Sequence, residues 1–259
     1  MDFLKPNFID TITGIVVDSN TTTAEFIMNP DPRFQYVTDG LANDNTSSTL
    51  RINFSQTMTV SRIALLGMNL KEMSLYYNGV TASTFGLTST CDTNTTSWNA
   101  NSQTGMYLHC TPTPCTSVSL QMKKTMVANS EKAIGYLVIS QERLNFTRIP
   151  AAKNYTPLTA PREIIHKLSN GTSRVQGISS NRWSFDVRLE YIDETLRNQL
   201  NEIWKLHEPH IFVPFGTSTG WDQAIAPVVW PGAFNFFKYS DNAVGSGFEG
   251  SIQLMETDP

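Results

Sequence analysis

Between residues 182 and 191, Trp183, Phe185, Val187, Leu189 and Tyr191 alternate with Arg182, Ser184, Asp186, Arg188 and Glu190. Successive side chains of a strand point to opposite faces, so this spacing predicts one long strand with a buried face and a wet face. The period then changes. Leu196, Leu200, Ile203 and Trp204 recur at helical spacing, and Asp193 stands where an N-cap is needed, which predicts an amphipathic helix over about 193–207. A long amphipathic strand feeding one short helix suits assembly more than catalysis.

The residues before 150 also read as strands. Leu50, Ile52 and Phe54 alternate, Val60 to Leu66 is an apolar run, and Met73, Leu75 and Tyr77 alternate before an Asn78-Gly79 turn signal. Val118, Leu120 and Met122 alternate again, and Ile134 to Ile139 fits a buried strand. The stretch from Cys91 to Thr116 is polar and broken by prolines, which predicts a long loop or irregular hairpin. No helix beyond a turn or two is needed here, so residues 1–148 are expected to form a β-sandwich. Residues 149–161 hold three prolines and few core residues and read as a linker. Residues 162–259 open with a hairpin about Asn170-Gly171, continue through the long strand and helix, and end on a strand over Phe248–Met255. The fold class expected is therefore mostly β with one short amphipathic helix.

Charged residues make up 16% of the 259-residue chain, and Ser, Thr and Asn take their place, most densely between Thr21 and Thr125. Such residues suit strand faces, turns and surfaces that meet other proteins. A net charge of −4 gives no electrostatic reason to expect nucleic acid. No apolar run is long enough to span a bilayer, and the first residues carry no secretory pattern. Three cysteines are too few for a disulfide framework and fit synthesis in a reducing cytoplasm.

Several groupings invite a chemical reading, and each has a plainer one. His109, Cys110, Cys115 and Cys91 supply four zinc ligands in principle, but the spacing matches no finger, and thiols in a loop are the better reading. Gly216-Thr217-Ser218-Thr219-Gly220 matches the nucleophile-elbow pattern, yet no histidine follows Ser218 and Pro227 ends the poor helix after it. His207 and His210 flank Pro209, which breaks helical metal-ligand placement, so they read as helix end and turn. Asp31, Asp39 and Asp44 offer oxygens for calcium without an EF-hand pattern, and turn chemistry accounts for them.

On the long strand, Asp186 and Glu190 share the wet face with Arg188. They read as solvated or intersubunit ion pairs and not as an acid–base couple. Trp221, Trp230, Phe234, Phe236, Phe237 and Tyr239 are dense enough to serve partly as core and partly as a subunit interface. The candidate interface residues are Trp183, Asp186, Arg188, Glu190, Trp230, Phe234 and Phe236. Trp98 and Tyr107, in the polar stretch, are candidate glycan contacts. No residue is expected to be catalytic, and no cofactor or metal is expected.

Two resemblances extend this reading. The run Thr23 to Phe34, with its Asn-Pro-Asp-Pro turn, resembles the opening of galactose-binding-like, discoidin-type jelly rolls. Leu50 to Phe54, Val60 to Leu70 with its Gly67-Met68-Asn69-Leu70 step, and Met73 to Tyr77 are similar to that family's core strands. This likeness covers about residues 7–145, and the family's sugar-binding loops do not map onto it. Residues 160–257 resemble tailed-phage tail proteins of the distal-tail and tail-tube type. The shared pattern is a hairpin, a long alternating strand, a short helix, a Pro/aromatic run and a last strand, Gly247 to Glu256. That resemblance implies a virion structural protein, made in the bacterial host cytoplasm and built into the tail. It implies a homo-oligomeric ring, with a hexamer favoured, at the distal tail or tail tip, contacting other tail proteins. The alternative is a carbohydrate-binding module that attaches to host-surface glycan.

Overall fold

The structure is a computed structural model. It describes residues 1–8, 12–29, 33–77, 89–92, 105–146, 155–160, 163–167, 173–177, 182–214, 225–239 and 247–257. The protein is mostly β, with a 3-10 helix over Thr21–Met28 and, among the described residues, one α-helix, α1 (Glu194–Lys205). It divides into two compact units. The first is mainly Asp2–Arg143, and the second is mainly Leu144–Val213 with Ala224–Asp258.

The strands of the first unit are β1 (Asp2–Leu4), β2 (Ile12–Val17), β3 (Tyr36–Val37), β4 (Ser48–Leu66), β5 (Leu70–Tyr77), β6 (Ser89–Asp92), β7 (Gly105–Thr125), β8 (Ala133–Ile134), β9 (Tyr136–Ser140) and, at its end, β10 (Glu142–Asn145). β4 and β7, 19 and 21 residues long, pair antiparallel along most of their length and form the frame. The first half of β4 also pairs β2, and the later half of β7 pairs β5, which pairs β6. The second half of β4 pairs β9. Register shifts between Asn53 and Met58, and between Val60 and Arg62, interrupt the ladder midway. Bulges of this kind let a long strand turn a corner and serve two layers of a sandwich. The alternating residues Leu50, Ile52, Phe54, Ile63, Leu65, Val118, Leu120, Met122, Leu137 and Ile139 fill one core.

The prolines expected to break Cys91–Thr116 do not break it from residue 105 onward. Pro112 falls in the register gap between Thr113 and His109, where no ladder donor is required, and Pro114 pairs opposite Thr59 beside that gap. The edge of β9 away from β4 is buried and is capped by a side chain. Asn7 Nδ2 donates to the Leu137 carbonyl at 2.9 Å, and the Ile139 N–H donates to Asn7 Oδ1 at 3.0 Å. One buried amide thus takes the place of a neighbouring strand.

The second unit contains β11 (Tyr155–Ala160), β12 (Glu163–Lys167), β13 (Ser173–Gly177), β14 (Arg182–Ile192), β15 (His210–Val213), β16 (Ala226–Val229), β17 (Asn235–Tyr239) and β18 (Gly247–Glu256). Its sheet runs β15-β16-β18-β14-β11, with β17 also on β18. β12 and β13 form the expected hairpin as a separate two-stranded ladder. The stretch expected to be a linker carries β11, an edge strand paired residue for residue with β14 from Tyr155↔Val187 to Ala160↔Arg182. Its proline misled the reading, because Pro157 is tolerated at a sheet edge. β17 approaches β18 closely at Gly250, where a Cβ would collide with the Asn235 carbonyl and the Phe236 ring. Helix α1 starts as its sequence requires, with Asp193 accepting from the Leu196 N–H at 2.7 Å, and it buries Leu200 and Ile203. No helix among the described residues is long and apolar enough to cross a membrane.

Candidate interaction surface

Strand β14 divides the second sheet into a covered face and an open one. Phe185, Val187 and Leu189 are buried opposite Leu254, Ile252 and Gly250 of β18. Phe185 also packs on Phe212 at 5.1 Å between ring centroids. The alternation fails at one expected position. Tyr191 adopts a left-handed backbone (φ 59°) and is 73% exposed, while Ile192 is buried in its stead. A register shift between Leu189 and Ile192 turns the strand before α1, and the side-chain parity flips with it.

Residues directly opposite one another share a face, so the registers identify the open side. Leu158 of β11, Ser184 of β14, Met255 of β18 and Val229 of β16 form one row across four strands. Leu158 is 55% exposed and Met255 is 41% exposed. Phe237 of β17, opposite Glu249, is exposed on the same side. Between these apolar groups lie Thr156, Asp186, Gln253, Ser251 and Asn235, nearly all uncharged.

The candidate interface residues divide between the two faces. Asp186, Arg188 and Glu190 are on the open face. Arg188 is paired within the chain, with Nε 3.4 Å from Glu190 and Nη2 3.7 Å from Glu249 of β18, so no subunit seam is needed to neutralise it. These exposed pairs contribute little to stability. Trp183 is half-buried and stacked on Phe185, with centroids 6.1 Å apart. Trp230 and Phe236 are buried inside their own unit. With Phe234 and Trp204 they form a cluster in which Phe234 lies 5.9 Å from both tryptophans and 5.0 Å from Phe236. Arg197 of α1 sits over the Phe234 and Phe248 rings at 5.7 and 4.9 Å. These aromatics join helix to sheet, with Trp230 and Phe236 buried and Trp204 and Phe234 partly exposed.

Sequence reasoning missed Leu158 and Met255, and named Phe237 only within the aromatic run shared between core and interface. Leu158 lay in the presumed linker. Met255 and Phe237 were legible in principle, because they sit one residue off the buried positions Leu254 and Phe236.

In the first unit, Tyr107 is committed to an internal network. Its hydroxyl donates to Asp2 Oδ2 at 2.6 Å, and burial, reinforced by the Asp2 charge, pushes the phenol well above its ordinary range. Arg62, 8% exposed, donates from Nε to the same oxygen at 3.4 Å and pairs with Glu142 through Nη2. His109 Nε2 stands 3.8 Å from Asp2. This assigns Tyr107 to holding a buried charge and not to stacking on a sugar. Trp98 lies outside the described residues.

The loop that offered calcium oxygens is served by a lysine. Lys132, wholly buried, donates from Nζ to the carbonyls of Leu41 and Asn43 at 2.8 and 3.1 Å. Burial pulls its ammonium below the usual lysine range, and the charges of Asp44 and Glu131 oppose that pull. Glu131 accepts from the Thr38 hydroxyl at 2.6 Å and from the N–H groups of Gly40 and Leu41. The Thr38 bond leads in holding its carboxyl below the ordinary value. Asp44 is also held low. Its desolvation is outweighed by hydrogen bonds from the Thr125 N–H and hydroxyl and from Asn129. Asp39 instead uses its backbone, its N–H donating to Ser19 Oγ at 2.7 Å. Asp31 lies outside the described residues.

Among the described residues no three His, Cys, Asp or Glu side chains converge as metal ligands. Cys115 is a buried thiol outside any disulfide. The Cys91 and Cys110 side chains, and the whole Ser218 loop with Trp221, lie outside the described residues. His207 follows the helix in a left-handed backbone (φ 50°), its ring edge-on to Trp204 at 5.3 Å, and His210 is buried on β15.

No family model and no curated protein matches this chain. Solved structures give a likeness over about half of it. One is the family 32 carbohydrate-binding module of NanJ from C. perfringens in complex with galactose (14% identity, TM-score 0.43, covering 54% of this chain and 100% of that chain). Another is chitosan-binding module 1 of a chitosanase/glucanase from Paenibacillus sp. IK-5 (11%, 0.42, covering 51% and 97%). A third is the lectin domain of lectinolysin complexed with Lewis B antigen (9%, 0.41, covering 52% and 96%). At these identities and scores the likeness assigns neither a family nor a ligand.

Proposed function

We propose that the chain is a non-catalytic structural protein whose second unit joins copies of itself, and that the assembly is a ring in the tail of a tailed phage. The observation that carries the joining role is the open face of the second sheet. One side of that sheet is covered by α1 and the aromatic cluster, while the other presents the Leu158–Ser184–Met255–Val229 row and Phe237, with Asp186 and the mutually paired Arg188, Glu190 and Glu249 beside them. An interface has an apolar centre with a polar and charged rim, and the apolar row with the charged residues beside it supports that reading. β11 adds an edge strand beside it, with the backbone groups that edge pairing uses. The ring and its place in a virion rest on the resemblance of residues 160–257 to tail proteins. The test is light scattering of the full chain over a wide concentration range, with Leu158→Asp and Met255→Asp as disrupting variants. A closed oligomer that falls to monomer in the variants supports the reading, and a wild-type chain that stays monomeric when concentrated overturns it.

A second reading gives the first unit a carbohydrate to bind, for attachment to a host surface. The observation in its favour is the pair of Phe26, in the 3-10 helix, and the exposed Phe34, whose rings stand edge to face 5.3 Å apart and offer apolar surface to a sugar ring. Retention of the full chain on a glycan array, lost in Phe34→Ser, supports it; a blank array removes it.

A further inference from the structure

The charges on the open face of the second sheet are not all treated alike. Next to the apolar row that runs through Leu158 and Met255 lies a second row, Thr156 of β11, Asp186 of β14 and Gln253 of β18. One step further along β14 stands Arg188. Its guanidinium is engaged by Glu190 at 3.4 Å and by Glu249 at 3.7 Å, so these three charges form a group of their own. Asp186 is left out of that group. It is exposed, and among the described residues no ion pair or hydrogen bond holds its carboxylate. Its cross-strand neighbours, Thr156 and Gln253, are exposed and uncharged. An unneutralised carboxylate thus stands between the apolar row and the ion-paired group.

In water that position costs nothing. Under a neighbour it does, because a carboxylate stripped of water and left unpaired is strongly unfavourable. Whatever covers the apolar row also covers Asp186, and must bring it a positive charge. The same face on a second copy is a poor source. Arg188 is the one cation among its described side chains, against three carboxylates, Asp186, Glu190 and Glu249. Lending Arg188 to Asp186 of a neighbour would strip Glu190 and Glu249 to satisfy one group. Like charges set against one another also penalise the face-to-face arrangement.

We propose that the open face meets a different, cationic surface of the neighbouring copy, and that Asp186 is the residue that selects it. This rests on the self-joining role proposed above and specifies its partner. A contact between unlike surfaces passes from copy to copy and closes a ring, whereas a face that binds its own kind stops at a pair.

The experiment is sedimentation of the full chain and its variants over a range of concentrations. Asp186→Asn is expected to weaken association at least about tenfold, and Asp186→Lys to abolish it. Raising salt is expected to weaken the wild type and to leave the residual association of Asp186→Asn nearly unchanged. Asp186 is exposed in the single chain, so the unfolding midpoints stay where they are and show that each variant is folded. Labelled Asp186→Lys is then mixed with excess wild type. It is expected to enter the oligomers, because its second, cationic surface is intact. Exclusion of the labelled chain means that the face binds its own kind, and overturns the proposal. Association of Asp186→Asn or Asp186→Leu as tight as the wild type's also overturns it. Both of these results leave the self-joining role standing. A wild-type chain that is monomeric at every concentration removes that role and this proposal together.

Discussion

The two units treat the same raw material differently. Both are built from alternating strands, but the first folds its sheet back on itself. Its long strands β4 and β7 turn at mid-length bulges, so that apolar residues from both halves meet in one core. Its charges are drawn inside and satisfied there, with Asp2 held by Arg62 and Tyr107, and Lys132 held by two carbonyls. Even the edge of β9 is capped by Asn7. The second unit covers one face of its sheet with a helix and presents Leu158, Met255 and Phe237 on the other. A unit that satisfies its own groups needs no neighbour, and one that leaves an apolar row in water is completed by one. Under the proposed function, the first unit is the self-sufficient one and the second is the one that associates.

That contrast is open to experiment, starting where the effect is largest. Arg62→Ala leaves the Asp2 carboxylate buried without its cation and is expected to cost the first unit roughly 3–5 kcal/mol in denaturant unfolding. A loss under 1 kcal/mol would mean that the network is wet, and the contrast would weaken. Lys132→Met removes the donor to two loop carbonyls and is expected to cost about 1–3 kcal/mol. Calcium added to the native chain is expected to leave its melting temperature unchanged, because an ammonium already takes those carbonyls.

Acid probes the same loop. The carboxyls of Glu131 and Asp44 are depressed on folding, so their contribution is full above the ordinary carboxylate range near pH 4 and is lost as pH falls through their lower folded values. Amides of residues 38–46 are then expected to lose hydrogen-exchange protection before those of β4. Leu158→Asp, on the open face, is expected to change monomer stability by no more than about 0.5 kcal/mol while abolishing association. A stability loss of several kcal/mol there would place Leu158 in a core and remove the contrast from the other side. At Tyr191, glycine relieves a left-handed backbone and is expected to raise stability in denaturant unfolding by a few tenths of a kcal/mol, up to about 1 kcal/mol.

Periodicity carried much of the fold into view. The strand at 182, the helix with its Asp193 cap and the core positions of β4, β5 and β7 were all legible, because each follows from side-chain direction alone. What escaped was set by contacts distant in sequence. Nothing local says that Pro112 will meet a register gap or that Pro157 will sit on an edge, so both read as breakers. The flip at Tyr191 follows from a bulge that the alternation hides. For the candidate surface, the open-face positions 186, 188 and 190 were visible in the pattern. The burial of Trp230 and Phe236 was not, because aromatics serve cores and interfaces equally well, and only their packing around Phe234 decides between the two. Tyr107 looked like a loop residue because its partner, Asp2, is 105 positions away.

Gly250 stands opposite Leu189 on one side and Phe236 on the other, and the second neighbour leaves no room for a methyl group. Sliding β17 by one residue would put the side chain of Glu249 or Ser251 into that gap. The missing carbon therefore acts as a key. The alignment that sets Gly250 against Phe236 is the one that leaves room for that ring.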